Sequence, residues 1–263
     1  MARSALLNVM VSAAMKAGRG LSRDFGEVQN LQVSIKGPGD FVTSADRRAE
    51  QVIGAELKRA RPDYGFLMEE SGETPGRDKQ HRWIVDPLDG TTNFLHGIPV
   101  FAVSIALERE GQIVAAVIYN PAMDELYTAE RGAGAYLNDR RLRVAGRREL
   151  SQCVISTGIP HLGKTDHSRY LEQQRQVMLE AVGVRRMGAA AIDLAFVAAG
   201  RFDGHWEQNL SAWDVAAGIL LVREAGGFVT DFDGGANMLA SGQICAGNEA
   251  VHRSLLGIIA KTG

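Results

Sequence analysis

One stretch of the chain decides the fold, and it reads Trp83-Ile84-Val85-Asp86-Pro87-Leu88-Asp89-Gly90-Thr91-Thr92-Asn93-Phe94. Its apolar beginning predicts a strand that runs into the core. Asp86 and Asp89 follow, three residues apart, and Pro87 restricts the backbone between them. Two carboxylates held this close repel each other unless a cation lies between them, and Mg²⁺ prefers oxygen ligands. The stretch therefore predicts a magnesium site at the end of a buried strand.

The residues after the second acid predict a site for an anion. Asp89-Gly90 permits a tight turn, and Thr91 to Asn93 can open a helix. The backbone N–H groups of Gly90 and Thr91 would then point at an anion from the helix start. A cation beside an anion-binding turn is typical of phosphate chemistry.

The composition is that of an ordinary globular protein. The chain has 263 residues, of which 45% are hydrophobic and 23% charged, and its formal net charge is −2. This balance lacks the basic surface of a nucleic-acid-binding protein, so we expect no direct nucleic-acid partner. The first residues show an amphipathic helical pattern rather than a signal peptide, and no stretch has the length of a membrane span. With reduced thiols favoured for Cys153 and Cys245, we predict a soluble, cytoplasmic protein.

The N-terminal part of the chain predicts two helices followed by an antiparallel sheet. Apolar residues recur at helical spacing from Leu6 to Leu21, and a glycine-rich connection follows at 36–40. Thr43 then caps a second helix that includes Leu57. Strands are predicted at 65–68, 83–85, 101–107, 114–120 and 125–128, with a hairpin formed by 133–137 and 142–144. The short connections between these strands favour antiparallel pairing.

After about residue 150 the pattern changes to strands that alternate with helices. The predicted strands are 153–156, 184–186, 204–207 and 228–230, and the predicted helices are 168–181, 189–199, 213–225 and 248–261. Such alternation favours a parallel or mixed sheet covered by helices. We predict one layered α/β domain over residues 1–263, with subregions at about 1–149 and 150–263.

Four acids are candidate ligands: Glu69, Asp86, Asp89 and Asp214. An aspartate in the first turn of a helix, such as Asp214, is usually a capping residue. The Glu69-Glu70 pair, taken alone, is more often a solvated strand end. Asp86 and Asp89 are different, because each follows apolar sequence and capping would use only one of them. For this pair, metal binding is the favoured interpretation.

Several motifs resemble those of the inositol monophosphatase family, the Mg²⁺-dependent, lithium-sensitive sugar and inositol phosphatases. The stretch at 83–94 is similar to the first family signature, and Trp213-Asp214-Val215-Ala216-Ala217-Gly218 with Glu224-Ala225-Gly226-Gly227 is similar to the second. Further matches, in the same order, are Lys36-Gly37, Asp40-Phe41-Val42-Thr43, Ala45-Asp46, Glu69-Glu70-Ser71 and Gly188-Ala189-Ala190-Ala191. The resemblance runs nearly from end to end, and it implies an α-β-α-β-α sandwich.

The resemblance also implies a set of metal ligands. Glu69, Asp86 and the backbone carbonyl of Leu88 would hold a first Mg²⁺ ion. Asp86, Asp89 and Asp214 would hold a second, so that Asp86 bridges the two ions. A third, looser Mg²⁺ near Glu69 is described for the family. Two neighbouring cations of this kind stabilise both the attacking and the leaving oxygen of an in-line displacement.

Catalytic roles follow from the same resemblance. Thr91 would orient and deprotonate the attacking water, with Asp46 behind it as a hydrogen-bond partner. Glu69 would serve catalysis as well as metal binding, because it lies beside the looser ion. The N–H groups of Gly90 and Thr91 would bind the phosphate, for the reason already given.

The substrate side is implied by two further matches. Glu207 corresponds to the family glutamate that hydrogen-bonds substrate hydroxyls, and the backbone of Ala190 would lie beside the substrate. Ala189 stands where many family members carry serine or threonine. A hydroxyl missing at this place bears on the identity of the alcohol, not on the metal chemistry.

The resemblance implies hydrolysis of myo-inositol 1-phosphate and related polyol phosphates by a homodimer. Fructose 1,6-bisphosphate, histidinol phosphate and a nucleotide 3′-phosphate remain alternative substrates, since hydroxyl-binding loops vary. A regulatory protein associated with RNA polymerase is the alternative from another functional class. The chain keeps every carboxylate that catalysis needs, which favours an enzyme. A second role with a transcription-machinery partner is compatible with this.

Overall fold

The computed structural model describes residues 3–27, 33–37, 40–160 and 167–262. Within them, helices α1 to α8 are Ala5–Phe25, Ser44–Ala60, Thr91–Leu95, His167–Glu180, Ala190–Ala198, Ala212–Glu224, Met238–Ser241 and Glu249–Lys261. Strands β1 to β15 are Val33–Gly37, Asp40–Thr43, Gly65–Met68, Gly72–Thr74, His81–Asp89, Ala102–Arg109, Gln112–Asn120, Glu125–Glu130, Gly134–Leu137, Arg140–Arg141, Val154–Thr157, Gly183–Arg185, Gly204–Glu207, Phe228–Thr230 and Ile244–Gly247.

The larger sheet has eight strands in the order β10-β9-β8-β7-β6-β5-β3-β4. Its neighbours pair antiparallel except β3 and β5, which are parallel. Short turns join most of these strands in sequence order, so antiparallel pairing follows from the connections. The predicted antiparallel sheet in the N-terminal half is confirmed.

The smaller sheet has five strands in the order β12-β11-β13-β15-β14. Strands β12, β11 and β13 are parallel, while β15 runs antiparallel to both β13 and β14. The prediction of a mixed sheet in the C-terminal half is therefore confirmed.

The helices and sheets stack in the predicted α-β-α-β-α order. Helices α1 and α2 cover one face of the larger sheet, and α5 and α6 lie between its other face and the smaller sheet. Helices α4 and α8 cover the outer face of the smaller sheet. Helices α5 and α6 therefore contact both sheets, and a single domain over residues 1–263 remains a prediction.

The middle layer is made of helices that are apolar on every side. All nine residues of α5 are buried, as are eight of α6, as expected for helices enclosed by protein. Small residues let them approach closely: a Cβ atom added at Gly218 of α6 would lie 2.6 Å from Leu194 Cβ of α5. The spacing of this layer therefore depends on the absence of a side chain at Gly218.

Three sequence-based assignments need correction. The connection predicted at 36–40 is the end of β1 and the start of β2, which pair antiparallel; residues 38–39 lie outside the described residues. The second strand of the hairpin was predicted at 142–144 but is β10, at 140–141. Asn138 and Asp139 adopt positive φ in a two-residue turn, so β10 pairs with β9 directly after the turn. Strand β15 was missed, because its sequence, Ile-Cys-Ala-Gly, has a single β-branched residue.

Among the residues described, no helix combines the length and apolar character needed to cross a membrane.

We expect Gly218→Ala to lower the free energy of unfolding by about 1–3 kcal/mol, because the added methyl group overlaps Leu194. Urea denaturation measures this change. Gly257→Ala is the matched control: Gly257 lies inside α8 with open space around it. Alanine there should be neutral or stabilise by up to about 1 kcal/mol. Equal unfolding midpoints for the two variants would contradict close packing of α5 on α6.

Candidate active site

A bulge in β5 explains how two acids three residues apart come to the same side of the sheet. Asp86 pairs with Ser104 of β6 and Asp89 with Ala102, so three steps along β5 match two along β6. In a regular strand residues i and i+3 point to opposite faces, and one extra residue removes that opposition. The Leu88 N–H donates to Asp86 Oδ1 at 2.9 Å and fixes the turn.

A cavity of about 270 Å³ lies at the end of β5. Four predicted metal-ligand acids line it: Glu69, Asp86, Asp89 and Asp214. The other predicted site residues that line it are Leu88, Gly90, Thr91, Ala190 and Glu207. Asp46 is not part of the lining and contacts Thr91 from behind. The structure thus brings together the whole set of residues that the sequence predicted for the site.

Asp89 is held by a helix from the other half of the chain. Helix α5 begins after Ala189, whose side chain provides no cap, and the Ala191 N–H donates to Asp89 Oδ2 at 2.7 Å. The helix start therefore receives a carboxylate from the larger sheet in place of a local cap. Gly90 follows with a φ of 89°, and a Cβ atom there would lie 2.9 Å from the carbonyl oxygen of Val100, so this turn requires glycine.

Asp214 and Asp46 are both anchored by capping their own helices. The Ser211 N–H donates to Asp214 Oδ2 at 2.6 Å at the start of α6. At the start of α2, the Thr43 N–H donates to Asp46 Oδ2 at 2.8 Å. In each case the capping function noted from the sequence coexists with a place at the site. Capping uses one carboxylate oxygen and leaves the other for a second partner.

The second oxygen of Asp46 faces Thr91. Thr91 Oγ1 lies 3.0 Å from Asp46 Oδ1 and 3.1 Å from the carbonyl oxygen of Leu88. Both neighbours are acceptors, so the hydroxyl donates its proton to one of them, and a lone pair of Thr91 Oγ1 can accept a proton from a water in the cavity. Burial raises the pKa of the Asp46 carboxyl, although its hydrogen bonds with Thr43 and Thr91 act in the opposite direction.

The acids of the cavity repel one another. Burial raises the pKa of Asp86 well above its ordinary value, and the carboxylates of Glu69, Asp89 and Asp214 raise it further. Burial is also the main cause that raises the pKa of Asp89 to about 7. The pKa of Asp214 lies well above its ordinary value because of burial and then of Asp89. A cation would relieve this repulsion.

The donor set fits Mg²⁺. The side chains of Glu69, Asp86, Asp89 and Asp214 and the carbonyl of Leu88 present only oxygen atoms to the cavity. Hard divalent cations select carboxylate and carbonyl oxygen, whereas zinc and copper sites use nitrogen or sulfur as well. The mutual repulsion of the acids is the structural observation that calls for such an ion.

The opposite wall of the cavity carries Glu207 at the end of β13. Gly158 lies directly beside it after β11, and a Cβ atom at Gly158 would overlap the Glu207 carboxylate. Arg186 also lines the cavity. It brings positive charge to a cavity whose other charged side chains, among the described residues, are acidic.

Sequence reasoning missed two residues that shape the site. Asn93 Nδ2 donates to the carbonyl oxygens of Val100 at 2.7 Å and Met187 at 2.8 Å, which joins the turn after β5 to the loop before α5. Gly158 has no local signature, because its partner Glu207 lies in another strand. For Asn93 the sequence held only a weak signal, namely that asparagine side chains readily hydrogen-bond backbone groups.

Comparison with known proteins finds a matching family model and similar sequences. The sequence model of the Inositol monophosphatase family matches residues 2–262. The inositol-1-monophosphatase of Mesorhizobium japonicum is 71% identical over 261 residues, which cover 99% of this chain and 98% of that protein. The Nus factor SuhB of Escherichia coli (strain K12) is 45% identical over 251 residues, which cover 95% of this chain and 94% of that protein.

Solved structures agree with the sequence comparison. The crystal structure of the extragenic suppressor protein suhB from Bartonella henselae superposes with a TM-score of 0.96 at 65% identity, covering 98% of this chain and 99% of that one. The family match spans every residue that lines the cavity, and the relatives align over nearly their full lengths. The chain therefore belongs to the inositol monophosphatase family, as its motifs predicted.

Proposed function

We propose that this protein is a Mg²⁺-dependent phosphomonoesterase that hydrolyses myo-inositol 1-phosphate and related polyol phosphates. The observation that carries the proposal is the convergence of four repelling carboxylates on one cavity beside a glycine turn and a hydroxyl. Family membership supports the same reaction class. The name of the Mesorhizobium japonicum relative, inositol-1-monophosphatase, supports the choice of substrate.

Two Mg²⁺ ions are assigned to the acids as the motifs imply. Glu69, Asp86 and the Leu88 carbonyl would hold one, Asp86, Asp89 and Asp214 would hold the other, and a third would bind loosely near Glu69. When bound, these cations neutralise charge on the phosphoryl oxygens and on the departing alkoxide. The protein's own contribution is to keep the carboxylates fixed by the hydrogen bonds from Leu88, Ala191 and Ser211.

Thr91 and Asp46 supply the path for the proton of the attacking water. The Thr91 hydroxyl donates its proton to Asp46 Oδ1, 3.0 Å away, as it accepts one from water. Burial raises the pKa of Asp46, which makes this carboxylate a better proton acceptor than an exposed one. The water oxygen then bonds to phosphorus while the phosphorus–oxygen bond to the alcohol breaks. The departing alkoxide takes a proton from solvent, and Asp46 returns the proton that it received to solvent.

The remaining contacts hold the two ends of the substrate. The N–H groups of Gly90 and Thr91 face the phosphate, and Arg186 adds positive charge at the same cavity. Glu207 accepts hydrogen bonds from hydroxyl groups of the alcohol, and the backbone of Ala190 lies beside the ring. Phosphate binding therefore depends mainly on the turn after β5 of the larger sheet, and recognition of the alcohol depends mainly on Glu207 at the end of β13 of the smaller one.

We expect Asp89→Asn to abolish turnover while the protein stays folded, because the amide oxygen can still accept from Ala191 but carries no charge. In wild type, Mg²⁺ at about 100 times its Kd should add about 2.7 kcal/mol to the free energy of unfolding. Thermal denaturation with and without Mg²⁺ measures this gain, which should shrink in the variant. Asp233→Asn, at an exposed acid outside the cavity, is the control. Full activity of Asp89→Asn would refute the metal assignment.

We expect Glu207→Gln to reduce kcat/KM for inositol 1-phosphate by about 10- to 150-fold, the value of a hydrogen bond to a charged group. Hydrolysis of a plain aryl phosphate, which offers no hydroxyls, should change much less. Kinetics with both substrates measure the difference. An equal loss on the two substrates would reject the role of Glu207 in binding the alcohol.

Gly158→Ala should also lower kcat/KM for inositol 1-phosphate more than for an aryl phosphate, although Glu207 itself is not replaced. The added Cβ atom overlaps the carboxylate, and Glu207 must rotate away because its side chain is the flexible partner. Stability should change little, as measured by thermal denaturation. Gly146→Ala, at an exposed glycine with open space around it, is the matched control. Wild-type kinetics in Gly158→Ala would show that Glu207 need not occupy its observed position.

The alternative substrates are fructose 1,6-bisphosphate, histidinol phosphate and nucleotide 3′-phosphates. All share the phosphoryl group and differ in the alcohol that faces Glu207 and Arg186. Comparison of kcat/KM across a panel of these esters separates them, and inositol 1-phosphate should give the highest value.

A second function is favoured by the Escherichia coli relative, which is named as a Nus factor. We propose that the chain also associates with the transcription machinery, independently of catalysis. Affinity capture of RNA polymerase and its elongation factors with the Asp89→Asn variant tests this. Capture equal to that of wild type is the expected result, and no capture by either protein would exclude the role.

Three finer assignments complete the proposal. The protein acts as a homodimer in the cytoplasm, and lithium inhibits it, as the family resemblance implies. The two described cysteines, Cys153 and Cys245, are buried and unpaired, which suits a reducing compartment. Sedimentation measures the oligomeric state, and activity against lithium concentration measures the inhibition.

A further inference from the structure

A buried histidine lies behind the alcohol-binding wall of the cavity. Side chains alternate along β13, so Trp206 packs toward α4 and α8 while His205 points toward α5. His205 is fully buried, and Asp193 in the first turn of α5 is 1% exposed. Glu207 follows on the same face and reaches the cavity. One ligand atom from each of these three residues, His205, Asp193 and Glu207, lies within 4.8 Å of the others.

The hydrogen bonds of Ser156 define the proton on the histidine ring. The Ser156 hydroxyl hydrogen-bonds Asp193 and lowers its pKa, so its own proton goes to that carboxylate. Ser156 Oγ also lies 2.9 Å from His205 Nδ1, and it must therefore accept the Nδ1–H. When the ring is neutral, this arrangement leaves a lone pair on Nε2. This is the arrangement of metal-binding histidines, whose second nitrogen donates to a fixed oxygen.

Two polar atoms of this group have no partner among the described residues. His205 Nε2 and Asp193 Oδ1 are both buried without a hydrogen bond. Leaving such an atom unpaired costs about 1–3 kcal/mol. Both atoms belong to the same small cluster, so a single bound species can satisfy both.

The distance between His205 and Glu207 is compatible with two ligands of one metal ion. His205 Nε2 lies 3.4 Å from Glu207 Oε2. A charge-assisted hydrogen bond would be about 2.7–2.9 Å long. A tetrahedral ion with bonds of about 2.0–2.1 Å separates its ligand atoms by about 3.3–3.4 Å.

Charge leads to the same result. Two carboxylates and a neutral imidazole carry a charge of about −2 when both acids are ionised. Burial raises the pKa of Asp193 well above its ordinary value, and Glu207 raises it further. A divalent cation would neutralise the cluster, whereas one proton on the ring would leave it negative.

We propose that Asp193, His205 and Glu207 bind one divalent ion of the zinc class, at a site separate from the carboxylates assigned to Mg²⁺. The imidazole nitrogen selects zinc over magnesium, which takes oxygen ligands. Glu207 borders the cavity, so an ion can reach the cluster from there. Binding of this ion does not depend on the proposed phosphatase activity.

The test is calorimetric titration of the full-length protein with Zn²⁺ in the presence of excess Mg²⁺, which occupies the oxygen-only site. Wild type should bind one equivalent. His205→Gln should weaken binding by at least about 100-fold, because it removes a ligand directly. Ser156→Ala should weaken it by about 10- to 100-fold, as expected when the partner of a metal-bound histidine is lost. His252→Gln is the matched control, since this buried histidine bonds Thr230 outside the cluster.

Substitution of Co²⁺ for Zn²⁺ gives a second readout through its visible absorption, which reports nitrogen coordination. If His205→Gln does not fold, Asp193→Asn and the ¹⁵N NMR signal of His205 Nε2 in wild type replace it. A zinc-dependent shift of that signal supports the site. Absence of a zinc equivalent in excess Mg²⁺, unchanged affinity in the folded variants, or a His205 ring protonated at both nitrogens with zinc present would overturn the proposal.

Discussion

The close packing of α5 against α6 is the constraint on which the rest of the structure depends. Both sheets pack on this layer. Gly218 has no side chain, so α6 can lie directly against Leu194 of α5. The N-terminal ends of the same helices hold Asp89 and Asp214. The contact that joins the two sheets thus also fixes the distance between acids that belong to different halves of the chain.

The charges at the ends of these helices determine which ligand the cavity can bind. Asp86, Asp89 and Asp214 line one cavity, and each has a raised pKa because removal from solvent disfavours its charge. Such a site is costly to keep in a folded protein unless a cation binds there. Among the described residues of the lining, Arg186 alone is basic, and one positive charge does not balance the four acids assigned to the metal.

Most elements could be predicted from the sequence because helices and strands carry their own periodicity, and the acids were recognisable by position along it. Contacts between distant segments could not. Asn93 bonds Met187, 94 residues away, and no local pattern records that partner. Gly158 matters because the parallel register that aligns Thr157 with Trp206 brings it beside Glu207. Strand β15 could not be predicted because few of its residues have high strand propensity, so its pairing with neighbouring strands decides its conformation.

The hydrogen bond from Ala191 to Asp89 has a consequence for how such proteins can diverge. It crosses the boundary between the two halves of the chain, joining a carboxylate on the larger sheet to a helix start that has no cap of its own. The donor is a backbone N–H, which any residue except proline supplies at position 191, whereas the acceptor is the side chain of Asp89. Divergence is therefore less restricted at position 191 than at position 89, where loss of the acceptor would leave the start of α5 without its cap.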